Sequence, residues 1–251
     1  MDLRVEGKIF LVTAASRGLG YGVAEALVEE GANVIICSRQ KESLESATES
    51  LGSLSRFFVC DLSQEEDIRA LLDDVAAITD HIDGLFVNAG GPPPGSFSDL
   101  SEEQWLRAYN LTLMSAVRLT REALPLLQTA DSPSILYSTS ISVKQPIENL
   151  MLSNSLRSAV IGMMRTLADE IGPTGIRVNA ICPGWILTNR VDELLADDSS
   201  SKEQIISRIP LGRMGTPEEF GEVSAFLLSP VSSYIHGALL LIDGGLYRGM
   251  M

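Results

Sequence analysis

The chain has 251 residues, long for a minimal domain and short for two large ones, so one α/β or barrel-sized domain spanning 1–251 is expected. Apolar residues make up 45% and charged residues 21%, with 21 Gly and 11 Pro spread along the chain, which excludes disorder and collagen-like structure. The 19 Lys+Arg against 33 Asp+Glu leave a formal charge of -14, which disfavours nucleic-acid and anionic membrane partners.

A charged lead-in over residues 2–7 precedes short, β-branched apolar runs at 8–14, 33–38, 56–60, 84–88, 134–140, 176–182 and 238–242. Amphipathic stretches separate them, with helices expected to open near Arg17 and Gly18, Lys41, Ser63, Ser101, Leu150 and Thr216. The spacings Ser63 to Glu66 and Ser101 to Gln104 match the capping box. Runs that are apolar throughout, such as Ile9-Phe10-Leu11-Val12, suit parallel strands covered on both faces, and predict a doubly wound α/β (Rossmann) fold. Three prolines stiffen the loop 90–95, and the acidic, Ser-rich stretch 192–201 is expected to be a mobile lid. Pro230, Gly237, His236 and several serines interrupt the uncharged stretch 223–242, which argues against a membrane span. Cys37, Cys60 and Cys182 are odd in number and far apart, giving neither a disulfide framework nor a CxxC metal site. A soluble, cytoplasmic, metal-free protein is expected.

Four polar segments fall at the carboxyl ends of predicted strands, where open α/β sheets bind ligands. The first, Thr13-Ala14-Ala15-Ser16-Arg17-Gly18-Leu19-Gly20, opens a helix whose N–H groups can cradle a pyrophosphate. The others are Cys37-Ser38-Arg39, Cys60-Asp61-Leu62 and Asn88-Ala89-Gly90. Ordinary turn residues are the plain alternative, and the joint match disfavours it.

On these motifs the whole chain resembles the short-chain dehydrogenase/reductase family, and within it the ketoacyl-acyl-carrier-protein reductase-like members. The family's Thr-Gly-x-x-x-Gly-x-Gly motif is matched at Thr13, Gly18 and Gly20, with Ala14 in place of the first glycine. The resemblance implies that Asp61, with Leu62 beside it, contacts the adenine ring and that Asn88, Ala89 and Gly90 form the Asn-Ala-Gly motif. It also implies that Pro183, Gly184, Ile186 and Thr188 hold the nicotinamide carboxamide, and that Asp243-Gly244-Gly245 is the C-terminal signature. It further implies a seven-stranded parallel sheet of order 3-2-1-4-5-6-7, and a homotetramer or dimer built on helices near 101–128 and 153–171. Ser38 and Arg39, with Arg17 and Ser16 in the glycine loop, stand where an acidic residue would accept from the ribose of NAD. Two cations and a hydroxyl there suit a 2′-phosphate, so NADP(H) is expected over NAD(H).

The family's Tyr-x-x-x-Lys pair is missing. Alignment on Ala159-Val160-Ile161-Gly162-Met163-Met164-Arg165 places Ser153 at the tyrosine position and Arg157 at the lysine position. Ser140 and Asn110 stand where the rest of the tetrad belongs. The implied roles are Ser140 on the substrate oxygen, Asn110 steadying a helix and a proton-relay water, and Arg157 donating to ribose hydroxyls. A serine hydroxyl is far less acidic than a phenol and ends nearer the backbone, and an arginine does not give up its proton. A helix-start cluster at 153–155 with Arg157 as a surface charge is the alternative. Ser142, Lys144, Glu148 and Asn149 are further proton-donor candidates, whereas Tyr137 should face the opposite side of the sheet. His81 and His236 have no partner pattern for a metal or a triad, and Cys182 reads as a buried small residue. Two functions follow: an NADP(H)-dependent reductase of an apolar carbonyl or alcohol with an atypical proton donor, or a non-catalytic NADP(H)-binding sensor or assembly protein. Pro92, Pro93, Pro94, Leu150, Met151, Trp185 and Leu187 are expected around the substrate.

Overall fold

Seven strands align in parallel in the computed structural model, which describes residues 2–195 and 199–250. They are β1 (Ile9–Thr13), β2 (Asn33–Ser38), β3 (Ser55–Val59), β4 (Gly84–Val87), β5 (Ser134–Ser138), β6 (Arg177–Pro183) and β7 (Leu239–Ile242). Their order, β3-β2-β1-β4-β5-β6-β7, is the expected one, and it reverses direction between β1 and β4. That reversal opens a crevice beyond the carboxyl ends of β1 and β4.

Burial on both faces explains the unbroken apolar runs. Successive residues of a strand point to opposite faces, and here both sets are core. Leu11, Ile35, Leu85 and Ile135 pack into one cluster, while Phe10, Val12, Val34, Ile36 and Phe86 pack into the other. The helices that cover these faces are α1 (Gly18–Glu29), α2 (Lys41–Leu51), α3 (Glu65–Ile78), α4 (Glu102–Tyr109), α5 (Ser115–Leu127), α6 (Met151–Ile171), α7 (Asn189–Leu195), α8 (Ser199–Arg208) and α9 (Pro217–Leu228).

Three details depart from the sequence reading. The expected capping box at Ser63 is not formed: α3 starts at Glu65 after Gln64, because the Ser63 hydroxyl donates instead to Asp61 (2.8 Å). The box at Ser101 is present. The helical stretch 101–128 is two helices joined by a π-helical turn, Asn110–Met114, in which the N–H of Ser115 reaches the carbonyl of Asn110. Finally, the stretch 192–201, expected as a mobile lid, carries the end of α7 and the start of α8, while 196–198 lie outside the described residues.

Helices α1 and α9 meet backbone to backbone. A Cβ on Gly22 would stand 2.3 Å from the Pro217 carbonyl oxygen, and one on Gly221 would stand 2.1 Å from the Gly22 oxygen, so only glycine fits at either position. The far end of α9 is capped from the sheet by Arg177, whose buried guanidinium donates to the carbonyls of Leu227 (2.9 Å), Leu228 (3.1 Å) and Ser229 (2.9 Å). Among the described residues no helix is long and apolar enough to cross a membrane. Cys37, Cys60 and Cys182 are free and buried.

Candidate functional site: a cleft at the carboxyl ends of the strands

The crevice is a cleft of about 500 Å³, and the loops that leave β1 to β6 line it. Its first wall is the glycine loop. Ser16, Arg17, Gly18 and Leu19 border the cleft, and α1 begins with no side chain capping its first N–H groups, which leaves those donors free for a ligand. Ala14 holds the left-handed backbone (φ +49°) that the family's glycine would adopt without strain. Thr13 and Gly20 do not line the cleft. Thr13 is fully buried, donating to the Asn88 carbonyl (2.7 Å) and accepting the Asn88 N–H (2.9 Å), which locks the end of β1 to the end of β4. A Cβ on Gly20 would stand 2.5 Å from the Ala14 oxygen, so the turn closes only on glycine. Both residues shape the cradle rather than touch its contents.

At one end the cleft is bordered by Ser38, Arg39, Asp61 and Leu62. Ser16 donates to the Ser38 hydroxyl (3.1 Å), leaving the Ser38 proton for a ligand. Arg17 and Arg39 are exposed, and neither makes an ion pair among the described residues. Asp61 accepts from the Ser63 N–H (2.9 Å) and hydroxyl, which fixes its carboxylate at the cleft rim. Beneath it, the hydrogen bond that the Cys60 thiol makes to Cys37, together with burial, pushes that thiol far up, so Cys60 is not a nucleophile at neutral pH. Asn88, Ala89 and Gly90 form the floor, where Asn88 donates through its side-chain amide to the Ala14 carbonyl (3.3 Å).

The other end gathers Ser140, Ser153 and Arg157 with Pro183, Gly184, Ile186 and Thr188. The Ser140 hydroxyl accepts the N–H of Ser142 (3.1 Å), so its own proton remains available to a ligand. Ser153 lies in the first turn of α6, nearly buried, with no hydrogen-bond partner for its hydroxyl among the described residues. Arg157 is not the surface charge that was weighed. One of its nitrogens donates to the carbonyls of Ser138 (3.1 Å) and Thr139 (3.0 Å), bracing the end of β5. Burial, aided by the nearby Arg190 cation, pushes Arg157 down to about 10, so it stays charged at neutral pH.

Asn110 does not line the cleft. The π turn that it opens engages its carbonyl with Ser115 and presents Leu111 to the cleft instead. Ser142, Lys144, Glu148 and Asn149 also lie outside the lining, as do Pro93, Pro94, Met151 and Leu187, whereas Pro92, Leu150 and Trp185 border it. Tyr137 faces away, its fully buried hydroxyl 2.6 Å from Thr120 Oγ1 and its pKa driven up by burial. Burial likewise raises the Cys182 thiol, which lies against Thr139 (3.0 Å). His236 is structural, bonded through Nδ1 to the Val178 N–H and through Nε2 to the Ala168 carbonyl. The sequence reading missed Arg190 and Glu193, which α7 brings to the cleft. The signal was present, because Val191 and Leu194 are three apart on one helix face, but the acidic, Ser-rich flank masked it.

The geometry agrees with comparisons to known proteins. The model of a family described as enoyl-(acyl carrier protein) reductase matches residues 13–247. The 3-oxoacyl-[acyl-carrier-protein] reductase FabG of Thermotoga maritima is 33% identical over 247 residues, covering 97% of this chain and 99% of that protein. Pig dehydrogenase/reductase SDR family member 4 is 31% identical over 245 residues, covering 96% and 88%. Among solved structures, L-sorbose reductase from Gluconobacter frateurii, complexed with NADPH and L-sorbose, superimposes with a TM-score of 0.94 at 29% identity, covering 100% of both chains. An NADPH-bound short chain oxidoreductase from Pseudomonas aeruginosa PAO1, described as containing an atypical catalytic center, matches with a TM-score of 0.89 at 30% identity, covering 96% and 97%. With the family model matched from the first strand to the C-terminal signature, the chain belongs to the short-chain dehydrogenase/reductase family.

Proposed function

We propose that the chain is an NADP(H)-dependent oxidoreductase that interconverts an apolar carbonyl compound and its alcohol, with Ser153 and Arg157 in place of the family's tyrosine and lysine. The observation that carries this reading is one cleft with an uncapped helix start and two unpaired arginines at one end and the free Ser140 proton at the other. The residues suit the cofactor. A Cβ on Gly90 would meet nothing within 4 Å, so a ligand can lie against the backbone there, and Arg17 and Arg39 are free for a 2′-phosphate. NADPH bound by the sorbose reductase and by the P. aeruginosa oxidoreductase supports the choice.

Bound there, the nicotinamide supplies hydride chemistry. Ser140 donates to the substrate oxygen and holds it in place. The fixed Arg157 cation stabilises negative charge developing on that oxygen, and lowers the pKa of a neighbouring hydroxyl, without itself losing a proton. Ser153 carries the nearest unengaged hydroxyl on α6. Ile147, Leu150 and Trp185 give the substrate end an apolar lining. Leu106 and Tyr109 on α4, exposed at 56% and 41%, would be covered in a dimer or tetramer built on α4 to α6. Three free cysteines suit a reducing cytoplasm.

The test is NADPH oxidation over a panel of ketones. Ser140→Ala should abolish the parent's turnover. Ser153→Tyr with Arg157→Lys should raise it by about 10²–10⁴-fold, and Ser153→Tyr alone by less. A parent that binds NADPH without any turnover, with activity appearing only in the double variant, would refute the catalytic reading and leave a binding protein.

A further inference from the structure

Two guanidinium groups face the substrate end of the cleft, although the protein as a whole carries a charge of -14. Arg157 uses one nitrogen on the carbonyls of Ser138 and Thr139 and has no carboxylate partner among the described residues. Arg190 reaches over from α7: it donates to the Pro92 carbonyl, and its Nε would stand 2.9 Å from a Cβ on Gly91. The acidic side chain facing them is Glu193, whose carboxylate is 3.9 Å from Arg190, too far for a hydrogen bond. Glu193 is 61% exposed against 35% for Arg190, so water screens much of that pairing. Each fork therefore keeps N–H donors unspent in a partly dehydrated site, where a cation without an anion is costly.

We propose that the substrate is an anionic carbonyl compound, an apolar-bodied keto acid whose carboxylate is held by Arg190 with Arg157 behind it. This rests on the oxidoreductase reading and adds the charge of the substrate to it. A carboxylate matches the planar fork of a guanidinium in a way that a neutral ketone does not. Leu150, Ile147 and Trp185 would take the apolar body on the side away from the arginines. The pyrophosphate of the cofactor is the other anion within this cleft. Its cradle is the start of α1, which Thr188 approaches, its methyl 3.5 Å from where a Cβ of Gly18 would stand. Arg190 lies farther along, against Gly91 and Pro92.

The experiment uses 4-phenyl-2-oxobutanoate and its ethyl ester as a matched pair, with NADPH titration alongside. The parent should prefer the acid, and Arg190→Met should cut the acid-over-ester ratio of kcat/KM by roughly 10- to 100-fold. A parent that reduces the ester as well as the acid would overturn the inference and leave the oxidoreductase reading intact. An Arg190→Met variant that loses NADPH affinity as steeply as it loses the acid would assign Arg190 to the pyrophosphate and overturn it too. If neither compound turns over, calorimetry with the unreactive 4-phenylbutanoate on the NADPH complex decides. Binding that falls at least tenfold in Arg190→Met upholds the anion site, and no binding overturns it.

Discussion

Removing Arg39 probes the discrimination between cofactors most directly. Its guanidinium is exposed at the cleft rim with no ion pair among the described residues, so Arg39→Ala disrupts nothing internal. A hydrogen bond to an ionised group contributes about 1.5–3 kcal/mol when shielded, and an exposed ion pair about 0–1 kcal/mol. A rim position falls between these, so Arg39→Ala should weaken NADPH by about tenfold and NADH by less than about twofold. Arg17 faces the same end, so removing both arginines should cost NADPH roughly 30- to 100-fold. Raising the ionic strength from about 0.05 to 0.5 M should weaken NADPH more than NADH, because only the former relies on the exposed charges. Fluorescence titration of each nucleotide reads all of this. Equal losses for the two cofactors, or a preference untouched by Arg39→Ala, would refute the assignment of the 2′-phosphate to these arginines.

Two further variants test the frame. Arg177→Met should lower stability by about 2–4 kcal/mol rather than more, because each carbonyl that it leaves keeps another donor: Ser232 Oγ for Leu227, Ser134 Oγ for Leu228 and the Ser232 N–H for Ser229. Urea unfolding measures it, and a change below about 1 kcal/mol would contradict the capping role. Ala14→Gly should relieve the left-handed strain, an intrinsic cost of about 1–2 kcal/mol. Lost methyl burial and the freer unfolded chain offset part of this, so a net gain of about 0.5 kcal/mol is expected, and a melting temperature that falls would contradict it.

The sheet was legible because its central strands are buried on both faces, leaving uninterrupted runs such as Ile9 to Val12 that no half-exposed helix would tolerate. The four loop motifs were legible because each directly follows a predicted strand. What the sequence concealed depends on competition between partners. Ser63 matched a capping box, but Asp61, two residues away, took its hydroxyl. Asn110 stood at the expected position in the chain, yet the π turn at 110–114 ties its carbonyl to the Ser115 N–H and brings Leu111 to the cleft. Arg157 was assigned to the site, but its bond to the end of β5 depends on a strand 19 residues away in sequence, which no local pattern reports. Arg190 was overlooked because the acidic, Ser-rich flank masked the short apolar period of a seven-residue helix.

The glycine contact between α1 and α9 sets how the cleft takes up a ligand. Where two helices touch through main-chain atoms there is no side-chain rotamer to yield, so the start of α1 cannot drift relative to the domain. The glycine-loop wall is therefore ready-made, with its ordering cost already met during folding. The opposite wall differs in kind: α7 meets the rest of the fold through side chains, with Arg190 donating to the Pro92 carbonyl and Val191 packed against Ile209 and Met214. One wall is held by main-chain contact and the other by side chains that can change rotamer, so substitutions on α7 should change the residence time of a bound molecule before they change the cradle.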